Sequence, residues 1–347
     1  MIRRVVPLAL ACIAAIVVTQ AGAAAPAGPR LAITAHNPCC GTGVITVGPA
    51  GELPGGLVAG ARLRNLLVSS DRPSWSADGG LLAFGASRFG DDGPVAAVVR
   101  ADGTGLRVFP RAVLTGGDPV ISPDGATIAF QRVGLVKVLP GRENYLFKSA
   151  IWLLDVEDGS VMRLTRWRIG TTVQPTSYSP DGRTLAAQSF GRRGFRAVGI
   201  DVRSGNLSLL VRDAWEPAYS PDGDRLVFVR LKNWLSFRPP ETAQPVLELY
   251  VARADGSGVR RLLRKRGLIV SPSWDPSGSR LAFVRSLVDS PRSLTPLPGS
   301  KVMAINADGT CLTKVFSSPE LTLEGSAWQP GIGREAGPIS CRSSPAH

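Results

Sequence analysis

One turn organises this chain by recurring six times. It reads Pro73-Ser74-Trp75-Ser76-Ala77-Asp78-Gly79, Pro119-Val120-Ile121-Ser122-Pro123-Asp124-Gly125, Pro175-Thr176-Ser177-Tyr178-Ser179-Pro180-Asp181-Gly182, Pro217-Ala218-Tyr219-Ser220-Pro221-Asp222-Gly223, Pro272-Ser273-Trp274-Asp275-Pro276-Ser277-Gly278 and a shortened Ser326-Ala327-Trp328-Gln329-Pro330-Gly331. The positions Trp75, Ile121, Tyr178, Tyr219, Trp274 and Trp328 are 41 to 57 residues apart. A unit that returns at such a period cannot bury its apolar face alone. It must stack on neighbours, so the chain is a repeat architecture.

Each unit contains two hairpins. Pro presets φ for the turn, Asp accepts nearby amides, and Gly takes positive φ. The turn is followed by an apolar trio: Leu82-Ala83-Phe84, Ile128-Ala129-Phe130, Leu185-Ala186-Ala187, Leu226-Val227-Phe228 and Leu281-Ala282-Phe283. A second turn, such as Ala101-Asp102-Gly103, Glu157-Asp158-Gly159 or Ala254-Asp255-Gly256, lies further on in each unit. Two hairpins make four antiparallel strands, A to D, which is a propeller blade. The first unit, Leu31-Ala32-Ile33-Thr34, lacks an A strand, and the last, Ser326-Ala327-Trp328, lacks a B strand. The fold expected is all-β: a six-bladed β-propeller whose two chain ends share one blade and close the ring.

The pattern Pro-x-aromatic-Ser-Pro-Asp-Gly-x-x-Leu-Ala-Phe, with Tyr250-Val251-Ala252-Arg253-Ala254-Asp255-Gly256-Ser257-Gly258 as the clearest copy of its second half, resembles the repeats of TolB-type β-propellers. The resemblance covers residues 31–331 and implies the fold, because repeat residues mark a scaffold rather than a site. TolB carries a separate N-terminal domain. Here the first strand begins within about ten residues of the expected leader cleavage, so TolB partner interactions are not carried over.

The expected domains are a signal peptide over 1–23, the propeller over 31–331 and a tail over 332–347. Arg3 and Arg4 precede an apolar run from Val5 to Val18, and Ala21-Gly22-Ala23 fits a cleavage site, with Ala25 as the second option. Cys12 sits inside that run, so it reads as part of a removed segment rather than as a lipid anchor. No other apolar run is long enough to span a membrane. The expected location is extracytoplasmic. Four cysteines then remain, Cys39, Cys40, Cys311 and Cys341, and an even number in an exported chain favours disulfides. Cys311–Cys341 is the preferred pair, pinning the tail across the closing blade. Cys39 and Cys40 form a vicinal bond or pair elsewhere.

Catalytic sets are missing. There is no Gly-x-Ser-x-Gly elbow, no His-Glu-x-x-His and no Walker loop. The two histidines, His36 in an early loop and His347 at the end, build neither a triad nor a metal site. No cofactor or metal is expected. Asp78, Asp124, Asp181 and Asp222 recur in phase and read as turn caps, not as a carboxylate ring. The in-phase aromatics read as blade-to-blade packing.

The irregular segments carry more information than the repeat. The A–B and C–D turns share one face and are uniformly tight. The B–C loops on the other face are long at Val133–Ser149, Val229–Pro245 and Val284–Ser300, and Ala35–Gly43 carries the Cys pair. They hold Arg142, Tyr145, Phe147, Lys148, Lys232, Trp234, Phe237, Arg238 and Arg292. Aromatics among arginines are the composition of binding hot spots, and loops on rigid scaffolds carry function. The formal charge of +13 favours acidic partners. The function expected is an exported, non-enzymatic scaffold that binds a protein or an acidic cell-envelope polymer, and not nucleic acid. The alternative is a carbohydrate-active propeller enzyme, which paired carboxylates in the channel would favour.

Overall fold

The computed structural model describes residues 30–330 apart from 38–40, 48–54, 59–65, 69–71, 89–92, 140–143, 193, 232–244, 289–296 and 320. Six antiparallel sheets of four main strands make six blades. Blade 1 runs from Leu66–Val68 and Ser74–Trp75 (a split A strand) through Leu81–Arg88 and Val95–Arg100 to Arg107–Val113. Blades 2 to 5 follow in the same order, with A strands Gly116–Ile121, Thr171–Tyr178, Trp215–Tyr219 and Leu268–Trp274. Blade 6 is built from both ends of the chain: Thr322–Trp328, then Leu31–Asn37, Gly41–Val47 and Gly55–Val58. No helix among the described residues is long and apolar enough to cross a membrane.

The closing pair is in register as Leu31↔Trp328, Ala32↔Ala327 and Ile33↔Ser326. Gln329 donates its amide to Arg30 O at 2.7 Å. Its side-chain Nε2 donates to Gly79 O at 2.8 Å, so the closing blade is tied to blade 1. Gly79 has φ +67°, and a Cβ there would lie 2.1 Å from Pro330 O. Only glycine fits between these two blades.

The repeated turn works as its chemistry predicts. Asp78 accepts from Ser76 Oγ and from the Gly80 amide, while Ser76 Oγ accepts the Leu81 amide. Asp124 and Asp181 repeat the pattern with Ser122 and Ser179, and Asp222 does so with Ser220. The serine hydroxyl holds Asp78, Asp124 and Asp181 below the usual carboxylate range. Partial burial opposes the same effect at Asp222 without reversing it. Blade 5 exchanges the roles: Asp275 stands at the serine position, accepts the Arg280 amide at 2.9 Å and pairs with Arg280 Nε at 3.2 Å. The C–D turn is bonded to the A–B turn of its own blade by Ala101 N–Gly80 O, Val156 N–Ala126 O, Val202 N–Arg183 O, Ala254 N–Asp224 O and Ala307 N–Ser279 O. Both tight-turn sets therefore lie on one face.

The apolar trios form the core. Phe84, Phe130, Phe228 and Phe283 are wholly buried, each contributing on the order of 2 kcal/mol by area. The A-strand aromatics pack between blades: Trp75 Nε1 donates to Ala327 O and Trp274 Nε1 to Ala218 O. A second device also ties neighbouring blades together. The residue two after the core Phe is Arg132, Arg230 or Arg285, and each guanidinium reaches a carbonyl of the preceding blade, at Arg111, Arg212 and Arg266. Arg132 lies over Trp152 at 4.3 Å and Arg230 over Tyr250 at 4.7 Å. Part of the positive charge is thus structural.

Three expectations need correction. Val133–Ser149 is not a loop: Thr127–Leu139 and Asn144–Asp155 form one long ribbon, paired as Val133↔Ser149, Leu135↔Phe147 and Leu139↔Asn144. Val133, Val136 and Val138 favour extended backbone, and Gly134 is accommodated opposite Lys148, so the ladder continues. The described residues of Ala35–Gly43 are likewise strand, with Ala35↔Gly43 and His36↔Thr42 in register. His36 is therefore a strand residue, its Nδ1 3.1 Å from Thr42 Oγ1. Finally, Asp308-Gly309 and Cys311 belong to blade 5, between Lys301–Asn306 and Thr313–Ser317, and not to the closing blade.

Truncation after Pro319 removes the innermost strand of blade 6 and reopens two sheet edges. Urea unfolding should show the loss of a single cooperative transition. Retention of wild-type midpoint and slope would mean that closure contributes little.

Candidate functional site at the channel mouth

The residue before the repeated proline takes equivalent positions in successive blades: Arg72, Asp118, Gln174, Glu216 and Ser271. Irregular pairing occurs beside the proline in blades 3, 4 and 5, at Pro175/Ser177, Trp215/Ala218 and Val270/Ser273. Bulges re-aim side chains at such points. Glu216 and Ser271 both sit at φ +52°. A residue before proline prefers extended backbone, so two non-glycine residues here hold strained conformations.

These positions form a polar belt across five blades. Arg72 lies between two carboxylates, with Nε 3.8 Å from Asp118 Oδ2 and Nη2 3.9 Å from Glu216 Oε1. Glu216 also accepts the Ser271 amide of blade 5. Its own amide donates to Gln188 Oε1 at 3.1 Å, and Gln188 Nε2 donates to Gln174 Oε1 at 2.7 Å. All three charged side chains are almost enclosed. Burial pushes the Glu216 carboxyl above its ordinary value, against the pull of Arg72.

Beside the belt opens a cavity of about 380 Å³. Arg72 and Asp118 line it, and all six blades contribute to its wall. The wall is made of the in-phase aromatics Trp75, Tyr178, Tyr219, Trp274 and Trp328 and of the turn prolines Pro123, Pro180, Pro221, Pro276 and Pro330. It is the tight-turn mouth of the channel. Burial raises the Tyr178 hydroxyl to about 12, so it stays neutral. Trp328 Nε1 and Ser273 Oγ, both on the wall, are buried polar atoms with no hydrogen-bond partner. The mouth is largely apolar. Among the described residues no group of His, Cys, Asp and Glu could hold a metal ion.

Three of the residues expected on the opposite face lie among the described residues. Phe147 and Lys148 lie on the ribbon; Phe147 is 41% exposed, and Lys148 Nζ sits 4.8 Å from the Trp167 ring. Tyr145 pairs with Val138 near the ribbon tip. Arg142, Lys232, Trp234, Phe237, Arg238 and Arg292 lie outside the described residues, as do Cys39, Cys40 and Cys341. Cys311 is disulfide-bonded.

Comparison with known proteins agrees with this architecture. No protein-family profile matches the chain. An uncharacterized protein of Agrobacterium fabrum is 26% identical over 313 residues, which cover 82% of this chain and 92% of that protein. A TolB homolog of Chlorobium luteolum is 29% identical over 177 residues, 46% of this chain and 36% of the homolog. TolB from Acinetobacter baumannii superposes with a TM-score of 0.62 at 19% identity, over 87% of this chain and 67% of that one. The chain is a β-propeller similar to TolB in the repeats of its sequence and in its fold. The aligned part of the Chlorobium luteolum TolB homolog is little more than a third of its length.

Glu216 generates a pH prediction. Its folded value is raised, so the folded state binds the proton more tightly than the unfolded chain does. That contribution is full below the ordinary value of 4.5 and is lost as pH rises through the folded value. Urea unfolding of wild type and Glu216→Gln from pH 4 to pH 8 should show the variant gaining stability relative to wild type as pH increases. A difference in stability that stays constant, or that moves in favour of wild type as pH rises, would mean that Arg72 keeps Glu216 ionised.

Proposed function

We propose that this TolB-like propeller is an exported, non-enzymatic scaffold that grips a segment of a partner protein in the tight-turn mouth of its channel. One observation carries the reading: a cavity of about 380 Å³ walled by aromatics and prolines from every blade. Such a wall changes shape little on binding and offers apolar area at low entropic cost. Relatives matched over 34% of this chain are named Tol-Pal system protein TolB, and the reading extends work through a protein partner to this chain. The leader over 1–23, the cleavage after Ala23 or Ala25 and an extracytoplasmic location belong to the same proposal.

The second reading places binding on the opposite face, through Arg142, Tyr145, Phe147, Lys148, Lys232, Trp234, Phe237, Arg238 and Arg292. Exposed Phe147 next to Lys148 on its ribbon favours it. Affinity capture from envelope extract, followed by titration with the captured protein, separates the two. Ala77 is an exposed residue of the mouth, and Ala77→Trp fills it without touching the core. The variant should weaken binding by at least about tenfold, the loss of about 1.4 kcal/mol, with thermal unfolding unchanged. Changing Trp234, Phe237 and Arg238 together to Ala should leave binding intact. The reverse pattern moves the site to the ribbon face. Release of unsaturated sugars from polygalacturonate would instead make the protein an enzyme that uses Asp118 and Glu216.

We also assign Cys341 as the partner of Cys311. The bond would tie the tail to blade 5, next to the closing blade. Non-reducing peptide mapping of the exported protein should recover Cys311 linked to Cys341. Recovery of Cys311 with Cys39 or Cys40 would replace this with a bond from blade 5 to the closing blade.

A further inference from the structure

The outermost strand of blade 4 departs from the repeat. Arg260–Arg266 reads Arg-Arg-Leu-Leu-Arg-Lys-Arg, so five of its seven residues are basic. Among the other outermost strands, Arg107–Val113 holds two basic residues, while Val161–Arg163, Leu207–Arg212 and Thr313–Ser317 hold one each. Gly55–Val58 holds none. Blade packing does not require this run, because the corresponding strands fold without it.

The run is also built rather than merely exposed. Glu248, on the neighbouring strand Val246–Arg253, is wholly buried. Its Oε1 accepts from Arg261 Nη1 at 2.8 Å and lies 3.7 Å from Arg264 Nε. Its Oε2 accepts the Tyr250 hydroxyl at 2.8 Å. A buried carboxylate is costly unless it is paired, so Glu248 fixes both guanidinium groups in place. Their side chains nevertheless stay 48% and 60% exposed, with further N–H donors free to turn outward. Arg260 is held at one end by the Asp308 and Ala307 carbonyls. At the other end Lys265 and Arg266 are exposed, and their side chains have no partner among the described residues. One carboxylate thus anchors a strip that remains strongly cationic.

We propose that Arg260–Arg266 is a docking strip for a linear acidic polymer, a glycan that carries carboxylate, sulfate or phosphate along its chain. The shape of the strip selects this occupant. Side chains of a strand alternate between its two flanks, and seven residues extend roughly 20 Å. The cations therefore form a line that a single polyanion can follow. A flat bilayer meets only the outward tips of such a line, and Leu262 and Leu263 are half-buried, leaving little apolar surface to insert. The strip lies on the rim of blade 4, on residues that do not line the mouth, so both sites can be occupied at once. The inference is independent of the peptide reading.

The test measures binding of the intact protein to heparin, as a linear polyanion, and to phosphatidylglycerol vesicles. Lys265→Glu with Arg266→Glu reverses two exposed charges and leaves the partners of Glu248 in place. Arg163→Glu with Arg183→Glu makes the same change in net charge at exposed positions elsewhere. Wild type should bind heparin, more weakly as NaCl rises. The strip variant should lose about tenfold or more at low salt, with a shallower salt dependence, and the control variant less than about twofold. Equal losses in both variants would reduce the effect to net charge and overturn the proposal. So would no heparin binding by wild type, or strip-dependent binding to vesicles that exceeds binding to heparin.

Discussion

Everything in this molecule depends on one ladder, the pairing of Leu31–Asn37 with Thr322–Trp328. Five blades are contiguous in sequence and could form a linear stack, but a stack has two open ends. The ladder joins the ends and gives the closing blade its innermost strand. Closure also creates the interior. Arg72, Asp118 and Glu216 meet only because blades 1, 2 and 4 face a common axis. The mouth likewise has six contributors only once the sixth blade exists.

The blade plan was legible because it is local chemistry. A Ser-x-Asp-Gly turn folds on itself within six residues, as Ser76, Asp78 and Leu81 do, so its meaning survives without knowledge of the rest. The shared blade was legible for a related reason: the first and last units are each missing what the other has. The belt was not legible. The residue before each repeated proline differs from blade to blade, and nothing local distinguishes Glu216 from a solvent-exposed Glu. Its burial is a property of the ring. A search for positions that vary within a constant frame would have found it. The arginine staples were hidden differently. Arg132, Arg230 and Arg285 repeat in phase two residues after the core Phe, but within a very basic chain they pass for surface charge.

The two faces illustrate the limits of reading loop length. In two of the segments expected to be loops, Val133–Ser149 and Ala35–Gly43, the described residues pair as strands. Long connections within a blade extend its sheet because their β-branched and aromatic residues find partners across the hairpin. The tight-turn face, uniform in sequence, contains the cavity. Uniformity there reflects six turns converging on one axis, where short connections leave the channel open and bring prolines and aromatics to its edge.

The hydrogen bond from the Gln329 amide to Arg30 O has a consequence for how the protein is made. The two ends of the propeller touch, so the finished ring has no first or last blade. Synthesis does have an order. Leu31–Val58 leaves the ribosome before the other blades, yet its inner neighbour is encoded almost 300 residues later. Until Thr322–Trp328 arrives, these three strands are a sheet with a bare inner edge. Contacts of such long sequence separation slow folding, and the strands that emerge earliest are the last to be completed. Any cell that makes this chain must keep that edge from pairing with another molecule until the final strand is in place.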